Sequence, residues 1–233
     1  MASYDFLCED KVNNVVISRT AMYAKPKFMT RFSRSISVDE KEKESYKNLV
    51  KKTTYNNRTG LKRVWWKRVI TYALFTYPNE MSLEEARIAI SSAFYQWSSV
   101  VPLSFIDVTN TGRMPDIKII FDYSHCNVFA FTVPGDKIFF NTKYKWAYTD
   151  IFKIISGRYM DLFMIALHEI GHQIGIADDM GEKGSVMNMF NWQPQQDEYG
   201  IIVRTRLQKD DIEFAQKIYG PRKFTFKNFK FVK

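Results

Sequence analysis

The 233-residue sequence lacks the features that mark disulfide-rich scaffolds and membrane-spanning proteins. It has two cysteines, Cys8 and Cys126, which allow at most one disulfide and do not fix a redox compartment. No apolar run approaches the roughly 20 residues of a membrane-spanning helix. The first twenty residues lack the apolar core of a secretory signal peptide, so the sequence predicts no export signal.

The remaining composition is that of a folded protein. Hydrophobic residues make up 45% of the chain and aromatic residues 16%, which excludes an intrinsically disordered protein. The length is enough for one sizeable domain with a large core, plus terminal arms. We therefore expect a single globular domain and a monomer.

Positive charge is concentrated outside the centre of the chain. Residues 1–70 hold 16 Lys and Arg against 7 Asp and Glu, whereas residues 71–220 hold 13 against 18. Residues 221–233 add 5 basic residues and no acidic ones. These arms allow contact with a polyanion or an anionic membrane surface, although a solvated extension is the favoured interpretation. We predict no specific nucleic-acid partner.

The segment HEIGHQIGIADDMGEKGSVM, which begins at His168, carries the main chemical signal. His168 and His172 are four residues apart, so on a helix both imidazoles project from one face and can reach one metal ion. Glu169 lies about 100° around that helix, close enough to reach a water on the ion without being a ligand. Gly175 permits a sharp turn, and Asp178 follows where a third ligand is expected. The pattern predicts a catalytic zinc site, in preference to a buried structural histidine pair.

Hydrophobic periodicity and end signals predict the other elements. We expect strands over Trp65–Tyr77, Leu103–Val108, Asp116–Asp122, Asn127–Thr132 and Lys137–Asn141. Ser82 opens a helix, with Glu85 in a capping box and an apolar face of Ala86, Ile90, Ala93, Phe94 and Trp97. Asp161 precedes the zinc helix, and Leu207–Tyr219 forms a closing helix with Asp210 and Asp211 in its first turn. This order indicates an α+β domain, with one twisted sheet and helices packed on it.

Residues 61–220 resemble the catalytic domain of a matrix metalloproteinase, a matrixin of the metzincin clan. The segment from His168 to Asp178 matches the motif HExxHxxGxxH except at its last residue. The segments AISSAFYQWSSVVPLSFIDV and DIKIIF resemble the family's first helix and the strands after it, and LQKDDI resembles its closing helix. Ser185-Val186-Met187 stands where the family has its Met-turn. The resemblance implies a mostly parallel five-stranded sheet with three helices and an active-site cleft.

The resemblance also implies an activity and roles for the motif residues. The protein would be a zinc endopeptidase that cleaves peptide bonds of proteins, with one Zn²⁺ held by His168, His172 and Asp178. Glu169 would be the general base that activates the water. Met187 would support the site from below. An extracellular location is also implied, although no export signal is visible.

Substrate contacts are implied at two places. The peptide would lie along the edge strand that contains Phe129, Ala130 and Phe131, adding a strand to the sheet. Phe190 and Trp192 would wall the pocket for the side chain after the scissile bond, or would belong to the core.

The sequence departs from the family pattern at three points. Asp178 replaces the third histidine; a carboxylate is a legitimate zinc ligand, with Asp179 as the neighbouring alternative and a poor zinc site as the other. The segment around His125 is too short for the family's structural zinc and calcium loop, so we expect neither of these ions. The latency motif PRCGxPD is absent, and Cys8 is expected to be an ordinary cysteine.

These observations divide the chain into three parts. Residues 1–60 are a basic N-terminal arm or pro-segment, residues 61–220 are the protease domain, and residues 221–233 are a basic, aromatic tail that adds a strand or packs on the domain. Two alternatives to the protease remain: a catalytically inactive binding protein of this fold, and a polyanion-binding protein that uses its basic arms.

Overall fold

A mixed β-sheet forms the framework of the fold. The computed structural model describes residues 21–23, 64–178, 184–188, 195–199 and 201–223. The main sheet contains β1 (Ala21–Tyr23), β2 (Val69–Leu74), β3 (Ser104–Asp107), β4 (Ile117–Asp122), β5 (Val128–Val133) and β6 (Lys137–Asn141). Their order across the sheet is β1-β5-β6-β4-β2-β3. Strands β2, β3, β4 and β6 are parallel, and β5 is antiparallel to β6.

The predicted α+β fold with a mostly parallel five-stranded sheet is confirmed for β2 to β6. A sixth strand, β1, comes from the N-terminal segment and was not predicted. It pairs antiparallel with β5, opposing Ala21 to Phe131 and Met22 to Ala130. Strand β5, predicted to lie at the edge of the sheet, therefore has neighbours on both sides.

The first predicted strand was too long. It was expected over Trp65–Tyr77 but extends only over β2, because its neighbours end there: β3 pairs with residues 69–72 and β4 with residues 72–74. Trp65 instead anchors the chain before the strand, donating from Nε1 to the carbonyl oxygen of Gln173 at 2.8 Å.

Four helices occur among the described residues: α1 (Leu83–Val100), α2 (Ile151–Ile155), α3 (Leu162–Gln173) and α4 (Lys209–Tyr219). Ser82 caps α1 as predicted, since its Oγ accepts from the amide of Glu85 at 3.1 Å. The Glu85 carboxylate does not complete the predicted capping box and accepts from Thr149 instead. The predicted apolar face of α1 is buried in full: Ala86, Ile90, Ala93, Phe94 and Trp97.

Helix α3, which carries the histidine motif, lies at the centre of the molecule. All twelve of its residues are buried, and it packs between α1 and β5. Asp161 caps its first turn, accepting from the amide of Met164. Trp97 of α1 donates from Nε1 to the carbonyl oxygen of Leu167 at 2.8 Å. Because no face of α3 is exposed, close-packed neighbours restrict the movement of its polar residues.

Several short elements were not predicted. Strands β7 (Lys145–Ala147) and β8 (Tyr159–Asp161) form a parallel pair, and β9 (Gln195–Gln196) pairs antiparallel with β10 (Ile202–Val203). Two- and three-residue strands contain too few residues for a periodicity to be recognised.

Hydrogen bonds from Arg222 hold the C-terminal end of the domain. The guanidinium of Arg222 donates to the carbonyl oxygens of Val101 and Leu103, so the tail begins against the end of α1.

Residues 224–233, for which a strand or packed tail was expected, lie outside the described residues, as does Cys8. Cys126 is disulfide-bonded. Among the described helices, none is both long and apolar enough to cross a membrane.

Candidate metal centre

Three predicted ligands converge on one point. The Nε2 atoms of His168 and His172 are 3.0 Å apart, and Oδ1 of Asp178 lies 3.3 Å and 3.4 Å from them. The two imidazoles stand at 90° to each other, with ring centroids 4.6 Å apart. The fold thus brings together the residues that the sequence singles out. Asp179, the alternative third ligand, lies outside the described residues.

Two backbone carbonyls orient the histidines. Nδ1 of His168 lies 2.8 Å from the oxygen of Val186, and Nδ1 of His172 lies 2.8 Å from the oxygen of Ile176. Because a carbonyl can only accept, each Nδ1 carries a hydrogen, and in the neutral tautomer each Nε2 presents a lone pair. Two lone pairs that meet at 3.0 Å repel each other unless a cation lies between them.

The carboxylate of Asp178 adds a negative charge that also favours a cation between the two histidines. Burial opposes the charge of Asp178, but the two histidines hold the pKa of its carboxyl well below the ordinary value. Burial alone would lower the pKa of His172, yet Asp178, together with Glu169, raises that pKa to about 9. A proton and a metal ion therefore compete for the same place.

One oxygen of Asp178 supports the assignment of a metal site. Oδ1 is buried and accepts no hydrogen bond from the described residues, although both imidazoles are close to it. Such an oxygen is costly to bury unless a cation compensates it. Two imidazole nitrogens and one carboxylate oxygen form a donor set typical of catalytic zinc. The residues present therefore fit zinc.

Glu169 follows the first histidine on α3 and is fully buried. Its Oε2 lies 2.8 Å from Oγ1 of Thr132, whereas Oε1 has no hydrogen-bond partner among the described residues. Burial raises the pKa of the Glu169 carboxyl, and the nearby histidines and Thr132 only partly offset that effect. A buried carboxylate with a raised pKa is suited to taking up a proton.

Met187, predicted to support the site, is fully buried beneath α3. Its backbone is held by the carboxylate of Asp211, which accepts from Oγ of Ser185 at 2.6 Å and from the amides of Val186 at 3.1 Å and Met187 at 3.4 Å. The carboxylate of Asp211 thus holds the turn whose Val186 carbonyl oxygen lies beside Nδ1 of His168.

The predicted substrate contacts are only partly described. Phe129, Ala130 and Phe131 are buried within β5, so any contact of this strand with a peptide would use its backbone. Phe190 and Trp192 lie outside the described residues.

Two polar residues of the site were missed by the sequence reasoning. Asp211 was predicted only as a favourable charge at a helix N-terminus, and Thr132 only as the last residue of a strand. A polar residue directly after four apolar strand residues was the one available signal for Thr132, because buried hydroxyls require partners.

Comparison with known proteins identifies the family. The matrixin family model matches residues 64–220. The chain belongs to the matrixin family. It is 34% identical over 168 residues to matrix metalloproteinase-C of Caenorhabditis elegans, covering 67% of this chain and 28% of that protein. Human matrix metalloproteinase-20 is 31% identical over 175 residues, covering 68% and 33%. Human matrix metalloproteinase-26 is 29% identical over 173 residues, covering 68% and 60%.

This matrixin spans less than two thirds of the length of each of these relatives. Matrixins use zinc, and among the described residues His168, His172 and Asp178 form a group that could hold it. At the last position of the motif HExxHxxGxxH, Asp178 places a carboxylate oxygen close to the two imidazoles.

Proposed function

We propose that this matrixin is a zinc-dependent endopeptidase that hydrolyses peptide bonds of proteins. One observation carries the proposal: two imidazole nitrogens and a carboxylate oxygen without a hydrogen-bond partner among the described residues meet at one buried point. Glu169 follows the first of the histidines on the same helix. A histidine pair with a merely structural role would be expected to satisfy its polar atoms internally.

His168, His172 and Asp178 would hold the ion through Nε2, Nε2 and a carboxylate oxygen. When bound, zinc supplies a Lewis acid that polarises the scissile carbonyl and makes a water molecule acidic enough to attack it. The carbonyls of Val186 and Ile176 hold a hydrogen on each Nδ1, so that both Nε2 atoms are directed at one point, where the ion would displace any proton on them.

Glu169 would be the general base. Oε1 takes the proton of the attacking water, because Oε2 is already bonded to Thr132. The protonated carboxyl then gives this proton to the nitrogen of the leaving amine. The raised pKa of Glu169 suits it to holding the proton between the two transfers.

The substrate would bind as an extended peptide along β5, through the backbone of residues 129–131. Phe190 and Trp192 would lie near the pocket for the side chain after the scissile bond.

Residues 1–60 would act as a pro-segment. Supporting this, β1 pairs with the same edge of β5 that such a peptide would use. A substrate strand and β1 could not both occupy that edge.

The test combines zinc content with cleavage by the full-length protein, compared with Glu169→Ala and with the exposed Glu213→Gln as control. We expect one zinc per chain in all three proteins, and cleavage of a mixed peptide library only by wild type and Glu213→Gln. Zinc without Glu169-dependent cleavage, also after limited proteolysis of the N-terminal segment, would favour the inactive binding protein. Absence of zinc would contradict the proposal.

A further inference from the structure

One hydroxyl group contacts the carboxylate that the proposed reaction uses. Oγ1 of Thr132 lies 2.8 Å from Oε2 of Glu169 and 3.0 Å from the backbone oxygen of the same residue. We propose that Thr132 is a positioning residue, whose hydroxyl fixes the Glu169 carboxylate so that Oε1 remains available for the proton. This inference rests on the proposed function of Glu169 as general base.

The surroundings of Thr132 call for such a role. It is the only polar residue of β5, whose sequence is VFAFTV, and it is fully buried. A buried hydroxyl destabilises a fold unless it is hydrogen-bonded. Both hydrogen-bond partners of its Oγ1 among the described residues belong to Glu169, so this polar side chain is matched to one residue of α3.

The direction of the hydrogen bond follows from the chemistry of the two groups. An ionised carboxylate has acceptors and no donor, so the Thr132 hydroxyl must donate. The hydroxyl has one hydrogen, and donation to a charged oxygen is stronger than donation to a backbone carbonyl. Oε2 is thereby engaged, and Oε1 is the oxygen of Glu169 that remains without a partner among the described residues.

Hydrogen bonds of Gln173 hold β5 next to α3, close to the hydrogen bond between Thr132 and Glu169. Gln173 stands one turn after Glu169 on α3, and its Nε2 donates to the carbonyls of Val133 and Lys137 at 2.9 Å. Its Oε1 accepts from the amide of Gly135 at 2.9 Å. The turn between β5 and β6 is therefore hydrogen-bonded to α3. These bonds fix the position of Thr132 relative to Glu169.

Two variants of Thr132 separate a positioning role from a structural one. Thr132→Val keeps the shape and removes the hydroxyl, whereas Thr132→Ser keeps the hydroxyl. For Thr132→Val we expect kcat and kcat/KM to fall together by about 10- to 100-fold, the factor expected for a lost hydrogen bond to a charged group, with KM unchanged. Thr132→Ser should retain kcat within a few-fold, and zinc content should be equal in all three proteins.

The outcomes distinguish this inference from the proposed function. Wild-type turnover that depends on Glu169 but is unaffected by Thr132→Val would overturn the positioning role alone. Equal loss of kcat in Thr132→Val and Thr132→Ser would also overturn it, because only packing would then matter. Absence of Glu169-dependent turnover in the wild type would contradict the proposed function instead.

A measurement without turnover tests the hydrogen bond directly. In threonine-labelled full-length protein, we expect NMR to detect a slowly exchanging hydroxyl proton on Thr132. Glu169→Ala should shift this resonance and accelerate its exchange with water, whereas Glu213→Gln should leave it unchanged. A Thr132 hydroxyl proton that exchanges rapidly in the wild type, or one insensitive to Glu169→Ala, would overturn the inference even if the protein cleaves no tested peptide.

Discussion

The side chain of Met187 occupies the space that a side chain at residue 171 would need. A Cβ atom on Gly171 would overlap Sδ of Met187 and would lie 2.9 Å from its Cε and 3.1 Å from the indole of Trp97. The absence of a side chain at Gly171 therefore lets α3 approach the turn that contains Met187. That approach sets the distance between His168 and the carbonyl of Val186, which precedes Met187 in the same turn.

Gly171→Ala should destabilise the protein despite the higher helix propensity of alanine. Overlap with a buried side chain commonly costs about 1–3 kcal/mol, and the compensating shift would separate α3 from the turn. We expect a lower midpoint in urea unfolding and weaker zinc binding. The double variant Gly171→Ala/Met187→Ala should be less destabilised than the two single changes predict together, because the smaller side chain removes the overlap. Strictly additive effects would mean that the overlap is relieved elsewhere.

Asp211→Asn should loosen the turn around Met187. The Asp211 carboxylate also accepts from the amide of Gln208 at 2.7 Å, so its two oxygens receive four hydrogen bonds. An amide nitrogen in place of one oxygen would face hydrogen-bond donors, and we expect a loss of about 2–3 kcal/mol in the free energy of unfolding. Asp210→Asn is the matched control on the same turn of α4. Equal stability of the two variants in urea would contradict this account.

The parts of the fold that could be predicted from the sequence are those encoded locally. The buried face of α1 follows a helical repeat, and the histidines of α3 are one turn apart, so spacing alone placed them on one side. The contact between Thr132 and Glu169 spans 37 residues, and that between Ser185 and Asp211 spans 26. Such contacts depend on how strands and helices pack, which periodicity does not record.

The position of β1 could not be predicted for a related reason. Three residues carry too little pattern to specify a partner strand or a register, and the basic composition around them favoured a solvated arm. The pairing depends instead on the unpaired edge of β5, a property of the folded sheet.

Asp178→Ala should abolish high-affinity zinc binding, because the site would lose its charged ligand. We expect the zinc affinity to fall by at least two orders of magnitude, as measured by competition with a chromophoric chelator. Asp179→Ala, the neighbouring carboxylate, serves as the control and should bind zinc like the wild type. The opposite result, with zinc lost only in Asp179→Ala, would transfer the third ligand to Asp179.

The stabilising effect of Asp116 should depend on pH in a defined direction. Partial burial would raise the pKa of its carboxyl, but donation from Lys67 and Thr71 prevails and holds the pKa below the ordinary value of 3.8. A lowered pKa in the folded protein contributes stability that is present above pH 3.8 and lost as the pH falls through the folded pKa. The difference between wild type and Asp116→Asn in urea unfolding should thus shrink below pH 3.8. A difference that grows on acidification would contradict the shift.

Removing β1 from the edge of β5 should increase turnover if the N-terminal segment competes with substrate. Of two consecutive residues in an extended strand, one directs its amide N–H towards a given neighbouring strand. Because proline has no N–H, the double variant Ala21→Pro/Met22→Pro removes the amide that faces β5, whichever of the two residues carries it. Ala21→Gly/Met22→Ala retains both amides and is the matched control. We expect the proline variant to cleave peptides with a higher kcat/KM than wild type and control, with unchanged zinc content. Equal kcat/KM in all three proteins would show that β1 does not limit access, and would leave residues 1–60 as a basic arm without a role in latency.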